Sequence, residues 1–259
     1  MYIDFMDNNM SNYGNFIFGS PIEKIIQKER SIKKVFVLGK YPSAVHAKFV
    51  SKNIKCNALA IKSEPYIFWK GDGAEYIINQ INELVPKNYG EFILPDKIFN
   101  GPTGKLLDEQ YLYPLKYSRE DAWLCDLIPY FMVNKYSKQY NAQKRINEYF
   151  KNDIKYISNI QTVPKNIDDN RINEIVNEIE ASKADTIILL GQDAIKWFIC
   201  KVSNCKKTEL REFYPYGKPH NFKFINNKEY KIYPLVHPHH IENGNKDWME
   251  RHSEWIKNI

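Results

Sequence analysis

Three of the chain's six histidines, His237, His239 and His240, fall within four positions of "PLVHPHHI" (residues 234–241). Imidazoles at that density fit three situations. They can be solvated loop residues. They can bind a metal, but they would then have to converge with a carboxylate from elsewhere, which neighbouring loop side chains seldom do. Or His237, stiffened by Pro238, donates a hydrogen bond to a substrate oxygen. A second loop with chemical potential is Gly39-Lys40-Tyr41-Pro42-Ser43. There Gly39 allows a close backbone approach and Pro42 stiffens the turn. Asp126 is the third feature, a carboxylate inside the otherwise apolar "WLCDLIP". Burying it is costly without a partner or ligand, so it reads either as a loop cap or as a group that meets substrate. By contrast, "GPTGK" (residues 101–105) lacks the spacing of a phosphate-binding loop and does not leave an apolar strand.

These loops need a frame. Residues 34–38 ("KVFVL"), 57–61 ("NALAI"), 123–128 ("WLCDLI") and 186–190 ("TIILL") are short apolar runs with little alternation. That pattern suits strands covered on both faces of a mostly parallel sheet. A fifth run, 231–236 ("KIYPLV"), follows a hairpin turn at Asn226-Asn227, and Pro234 points to an edge or a strand end. Helical spacing over 74–85 puts Ile77, Ile78, Ile81, Leu84 and Val85 on one face. Over 171–184 it does the same for Ile172, Ile175 and Ile179, behind capping Asp168, Asp169 and Asn170. "GQDAIKWFICKV" (191–202) and the closing "KDWMERHSEWI" supply further helices, with Trp248, His252 and Trp255 packing into the core. His46 is expected on the surface, early in a helix after the first loop. The alternation predicts an α/β fold, a three-layer α/β/α sandwich with a short, mostly parallel central sheet. Ligands of such sheets bind beyond the carboxyl ends of the strands. The loops after Leu38, Ile61, Ile128, Leu190 and Val236 therefore matter most. After Ile61 nothing stands out beyond Glu64-Pro65.

With 259 residues, 43% of them hydrophobic, and no Gly/Ser/Pro-rich linker, a single domain over 1–259 is expected, with its core over about 34–241. Residues 134–167 are Lys- and Asn-rich with weak periodicity and read as an insertion at the sheet's edge. The formal charge of +6 is compatible with a polyanionic partner without demanding one. The four cysteines form no C-x-x-C pair and read as buried thiols, so neither zinc nor an iron–sulfur cluster is expected. The polar start "MYIDFMDNNMSNYG" is not a signal peptide, and no apolar run is long enough for a membrane span. A monomeric cytoplasmic protein without cofactor or metal is the expectation.

The order of these pieces resembles the uracil-DNA glycosylase superfamily. "GKYPSA" (39–44) stands where the best-known branch has Gly-Gln-Asp-Pro-Tyr-His, matching at Gly39 and Pro42. "HPHHIE" (237–242) stands where it has His-Pro-Ser-Pro-Leu-Ser, matching at His237 and Pro238, with Ile241 for Leu. "WLCDLIP" is similar to the strand carrying the family's base-reading Asn, and "TIILLGQDAIKWF" to its penultimate strand-Gly-helix unit. The resemblance implies a DNA glycosylase that binds nucleic acid, flips a nucleotide out and hydrolyses the N-glycosidic bond of a uracil-like, modified or mispaired base. It implies catalytic roles for His237, at the departing base's oxygen, and for Tyr41. Gly39, Lys40, Pro42, Ser43, Asp126, Pro238, His239 and His240 would contact substrate, and Ile241 would be the wedge in the vacated stack. Tyr41 replaces the family's water-positioning Asp. Asp126 replaces an amide and, as a carboxylate, suits an amine-bearing edge such as that of cytosine or adenine. The family's stacking Phe has no counterpart among Ala58, Leu59, Ala60 and Ile61. A catalytically silent nucleic-acid or nucleobase-binding module is the alternative. A metal-dependent hydrolase, resting on the histidines alone, is the third reading.

Overall fold

The computed structural model describes residues 13–242 and 244–259. The polar start, residues 1–12, lies outside them, and with it most of the stretch read as no signal peptide. Along the chain come β1 (Val35–Gly39), β2 (Ala44–Val50), β3 (Lys55–Ser63), α1 (Ala74–Asn82), β4 (Glu91–Ile93) and α2 (Pro102–Leu106). Next are β5 (Ala122–Asp126), α3 (Lys138–Tyr149), α4 (Asp169–Ser182), β6 (Thr186–Leu190), α5 (Gln192–Ala194) and α6 (Cys200–Val202). The order closes with β7 (His220–Lys223), β8 (Glu229–Leu235), α7 (Pro238–Glu242) and α8 (Lys246–Lys257). A wide π turn, Leu107–Leu112, extends α2, and another, Ile195–Ile199, joins α5 to α6.

Five strands form the central sheet in the order β5-β1-β6-β8-β7. Each of the first four runs parallel to its neighbours in that set; β7 pairs antiparallel with β8. Alternate strand residues serve opposite faces, and both faces are buried. Phe36, Leu38, Trp123, Ile187, Leu189 and Ile232 pack with Ile172, Ile175 and Ile179 of α4 and with Trp197 and Phe198. Val35, Val37, Leu124, Ile188, Leu190 and Leu235 pack instead with Leu107, Tyr111, Leu112 and Trp255. The three-layer sandwich follows directly, because a strand apolar on both faces needs cover on both.

Several expectations are corrected. The run at 57–61 belongs to β3, which lies in a second, antiparallel sheet of order β3-β2-β4, not in the parallel one. Its β-branched and small residues suit either environment, so composition could not tell the two sheets apart. His46 lies in strand β2 and is buried, not at the surface of a helix. The segment after the first loop contains Val45, Ala47 and Phe49, whose period of two is a strand's. Of the two places expected for Pro234, it takes the strand end, one residue before β8 stops, and not an edge strand, since β8 is flanked by β6 and β7. It is tolerated because the β7 pairing stops at Ile232, before Pro234 is reached. Residues 134–167 hold α3, capped by the Ser137 side chain, and its Ala142 and Ile146 bury against the second sheet together with Phe150. Leu84, expected on the buried face of α1, is exposed beyond the helix end. Among the described residues no helix is long and apolar enough to cross a membrane.

Candidate active site

Parallel pairing brings the carboxyl ends of β5, β1, β6 and β8 to one edge. Gly39 sits opposite Asp126 in the strand register. The chain stays paired just beyond, where Leu127 N–H donates to the Gly39 carbonyl and Ile128 N–H to that of Lys40. A Cβ on Gly39 would collide with Asp126 Oδ1 and with Phe68 Cζ, so glycine is required by close approach rather than by backbone angle. At the other end of the edge, Gly191 has φ +89° and its Cβ position faces His237 Cβ. Its N–H donates to the Leu235 carbonyl.

His237 is half-buried. Its Nδ1 accepts a hydrogen bond from the His239 N–H at 3.2 Å, which leaves the proton of the neutral ring on Nε2. Desolvation, followed by His239, His240 and the Lys40 ammonium, pushes its pKa down to about 3. The ring is therefore a neutral donor across the working pH range. Its base is anchored from below. Tyr111 O–H donates to the Val236 carbonyl at 2.8 Å, and Val236 N–H donates to Tyr216 Oη at 3.2 Å. Tyr216 in turn meets His252 Nδ1 at 2.7 Å, and His252 Nε2 reaches the Gln110 carbonyl at 3.1 Å. His252 is thus a satisfied core histidine that tethers the residue before His237.

Tyr41 is half-buried in the first loop. Burial, then Asp193, then Asp126 raise its phenol pKa, so it remains a neutral hydroxyl rather than a base. Lys40 pairs with Asp193 at 2.6 Å and lies 5.6 Å from the Tyr41 ring and 5.4 Å from that of Trp197. Pro42 is buried and Ser43 half-buried. Asp126 is 3% exposed, and desolvation lifts its carboxyl to about 8, against a lowering by Arg171. Arg171 does not bond that carboxyl. It reaches from α4 to the Asp126 carbonyl at 2.7 Å and the Leu127 carbonyl at 3.2 Å, fixing the strand end by its backbone.

Two residues with no site role assigned from the sequence join this group. Glu64, just past β3, is 2% exposed, and burial, then Asp126, lift its carboxyl to about 8. The N–H groups of Trp69, Phe68 and Ser43 oppose that rise, yet Oε1 has no hydrogen-bond partner. Phe68, buried and with φ 52°, puts its ring edge over Gly39. Arg119 holds its carbonyl at 3.0 Å while bonding Asp108 and the Gly104 carbonyl. An aromatic side chain therefore does reach the edge, from a loop well past the strand where a stacking Phe was sought. The signal available in the sequence was a lone acid, Glu64, three positions beyond the apolar run that ends at Ile61.

The remaining expected residues lie further out. Pro238 is buried, while His239 and His240 are exposed on α7. Ile241 is half-buried against the core of the central sheet rather than projecting freely. Among the described residues no three His, Cys, Asp or Glu side chains are placed to hold a metal ion. A cavity of about 850 Å³ lies beside the segment after β5, lined by Tyr13, Tyr130, Asp168, Arg171 and Lys201 among others. None of Tyr41, Asp126 and His237 lines it, so its size does not make it the catalytic centre.

The arrangement offers a neutral N–H donor, a buried carboxyl, a neutral phenol and an aromatic edge at one end of a parallel sheet. Residues 94–257 match the family model described as the uracil DNA glycosylase superfamily, well over half of the chain. The chain belongs to the uracil DNA glycosylase superfamily. The matched part carries Asp126, Gly191 and His237 but begins after Gly39–Ser43 and Glu64, so it takes in the last strand's loop and not the first. Among curated proteins none matches the chain. Membership makes a glycosylase-like activity the general expectation for this fold.

Proposed function

We propose that the protein is a DNA glycosylase that hydrolyses the N-glycosidic bond of a flipped uracil-like, modified or mispaired base. The observation that carries this is His237, a neutral imidazole whose Nδ1 is occupied by the His239 N–H, so that its proton sits on Nε2, which bonds no acceptor among the described residues. Breaking the bond between C1′ and the base nitrogen leaves electron density on the base oxygen and positive charge on the sugar. A fixed donor at that oxygen lowers the barrier because it need not reorganise as charge develops. Asp126 would face the polar edge of the base, Phe68 would cover its plane above Gly39, and Tyr41 would stand beside the sugar. Tyr41 can orient a water but cannot take its proton near neutrality. Lys40, His239 and His240 lie on the exposed side, where a phosphate backbone would pass. Ile241 would act as a wedge only by leaving its contact with the core.

Incubation with single- and double-stranded oligonucleotides bearing uracil, hypoxanthine or a mispaired base, followed by alkali, tests the reading. Strand scission by the wild type, lost in His237→Ala, is expected. No scission on any substrate would remove the enzymatic claim. Tyr41, standing in place of the family's acid, favours the second reading, a binding module without turnover. That reading predicts oligonucleotide binding that falls steeply with salt in the absence of base release.

A further inference from the structure

The π turn Leu107–Leu112 lies behind both arms of the site. On one arm, Tyr111 donates from its hydroxyl to the Val236 carbonyl at 2.8 Å, one residue before His237. On the other, Asp108 is 5% exposed and accepts from Arg119 Nε at 2.8 Å. The same guanidinium donates through Nη1 to the Phe68 carbonyl at 3.0 Å and through Nη2 to the Gly104 carbonyl at 2.9 Å. Lys70 reaches the second Asp108 oxygen at 3.4 Å. A planar fork of donors lets arginine hold three acceptors at once, which the point charge of a lysine cannot reproduce.

Phe68 needs such a hold. A φ of 52° is unfavourable for a bulky side chain and persists only where the surroundings over-determine it. The "GPTGK" segment supplies the rest of the cradle. A Cβ on Gly104 would collide with the Phe68 and Trp69 carbonyls, and one on Gly101 with the backbone of Lys70 and Gly71. The backbone over 68–71 therefore lies directly on the start of α2, an approach that only glycine permits. Its outcome is at the site, where Phe68 Cζ lies 2.7 Å from the point a Gly39 Cβ would occupy, beside Asp126 Oδ1. Helix α2 also packs against α7, which follows His237.

Resting on the glycosylase reading, we propose that Arg119, held by Asp108, is a positioning residue for the flipped base. It acts through Phe68 and not on the base itself. By fixing the Phe68 turn it sets where the ring stands relative to His237, because one π turn anchors both. The base then has to fit between a ring and a donor whose separation is decided before it arrives.

The test has two arms on the intact protein. In the first, ring carbons of labelled phenylalanine are followed by NMR without substrate, the Phe68 signals being assigned by their loss in Phe68→Leu. Arg119→Met should shift or broaden them and leave those of Phe49 and Phe92, in the core of the second sheet, in place. Arg119→Lys keeps the charge beside Asp108 but loses the fork, so it should fall between, and it serves if Arg119→Met fails to fold. Phe68 signals that neither variant moves would overturn the proposal whether or not the protein is an enzyme.

In the second arm, kcat and KM are measured for whichever base the wild type frees, in Phe68→Ala, Arg119→Met and the double variant. A ring stacked on the base acts before and during reaction alike, so Phe68→Ala should raise KM about 10- to 100-fold with kcat little changed. Arg119→Met should raise it about tenfold, and the double variant should be no worse than Phe68→Ala, because nothing is left to position. Losses that multiply would show Arg119 acting on the fold alone, and would sink the proposal while leaving the glycosylase reading intact. If the wild type frees no base, that reading falls and the cycle is read on affinity for a uracil-bearing oligonucleotide. There, losses that do not multiply keep the clamp, and losses that multiply overturn it.

Discussion

The rim of the parallel sheet and the interior of the small antiparallel sheet both bury polar groups, but to different effect. At the rim, Asp126 and His237 stand where parallel strands end and their loops begin, and Glu64, past the end of β3, feels the charge of Asp126. In the small sheet, His46 is 3% exposed, with neither Nδ1 nor Nε2 making a geometric hydrogen bond among the described residues, beneath Phe99 and Phe131 at 6.0 and 6.2 Å. Its backbone is clipped on both sides by the Asn100 amide, at 2.8 and 3.0 Å. Gln143 donates to the Ala60 carbonyl, opposite His46 in register, and leaves its own Oε1 bare. Burial alone therefore does not mark a site. What distinguishes the rim is the loops that leave the strand ends around it, which can admit a ligand, whereas His46 is enclosed by strands and rings.

Five perturbations sharpen that contrast. The largest effect should come from His237→Ala, which removes the donor at the departing oxygen and should lower turnover about 100- to 1000-fold in a base-release assay. Thermal stability should change little, because the ring's hydrogen bond, from the His239 N–H, lies within its own loop. Arg171→Ala should instead act on the fold, losing about 3 kcal/mol in chemical denaturation. It strips the strand end after β5 of its anchor and leaves Glu178, hydrogen-bonded to Trp123 Nε1, without its cation.

A smaller effect, opposite in sign, belongs to His46. Desolvation pushes its pKa down to about 4, with the nearby Ala44 carbonyl offsetting this in part. The unfolded chain binds a proton below about pH 6.5 that the folded chain refuses down to about 4. Wild-type stability should thus fall as pH drops through that window. His46→Leu should flatten the fall and add about 1 kcal/mol at neutral pH, by removing a buried polar ring whose nitrogens make no geometric hydrogen bond among the described residues. Denaturation midpoints measured against pH would show both. The rim carboxyls act the other way. Their folded pKa values are raised, so the folded state holds protons that the unfolded state has lost, and stability should decline as pH rises from about 4 towards about 8. Asp126→Asn should reduce that decline. Lys40→Met should matter least. Its pair with Asp193 has side chains 29% and 32% exposed and contributes less than about 1 kcal/mol, seen as a slight shift in melting temperature.

Much of the larger sheet was legible in the chain because its strands are apolar on both faces and its loops change composition abruptly. "KVFVL", "WLCDLI" and "TIILL" became β1, β5 and β6 nearly residue for residue. The helix over 171–184 was readable from its isoleucine spacing and its Asp168 cap. The second sheet was not legible as a separate sheet, because the period of two in "AVHAKFV" marks a strand but nothing local shows which strands it pairs with. Periodicity also could not show that α3 lies on β3, since its buried face is only a few residues wide.

By itself, then, the sequence determined which side chains could do chemistry and which strands must be buried, because apolar patterning and residue type are local properties. The burial of Glu64 within the electrostatic reach of Asp126, the position of Phe68 over Gly39, and that of the His252–Tyr216 tether under His237 were decided only in the tertiary structure. Those contacts join segments far apart in the chain. They exist because parallel pairing gathers strand ends that no local pattern can bring together.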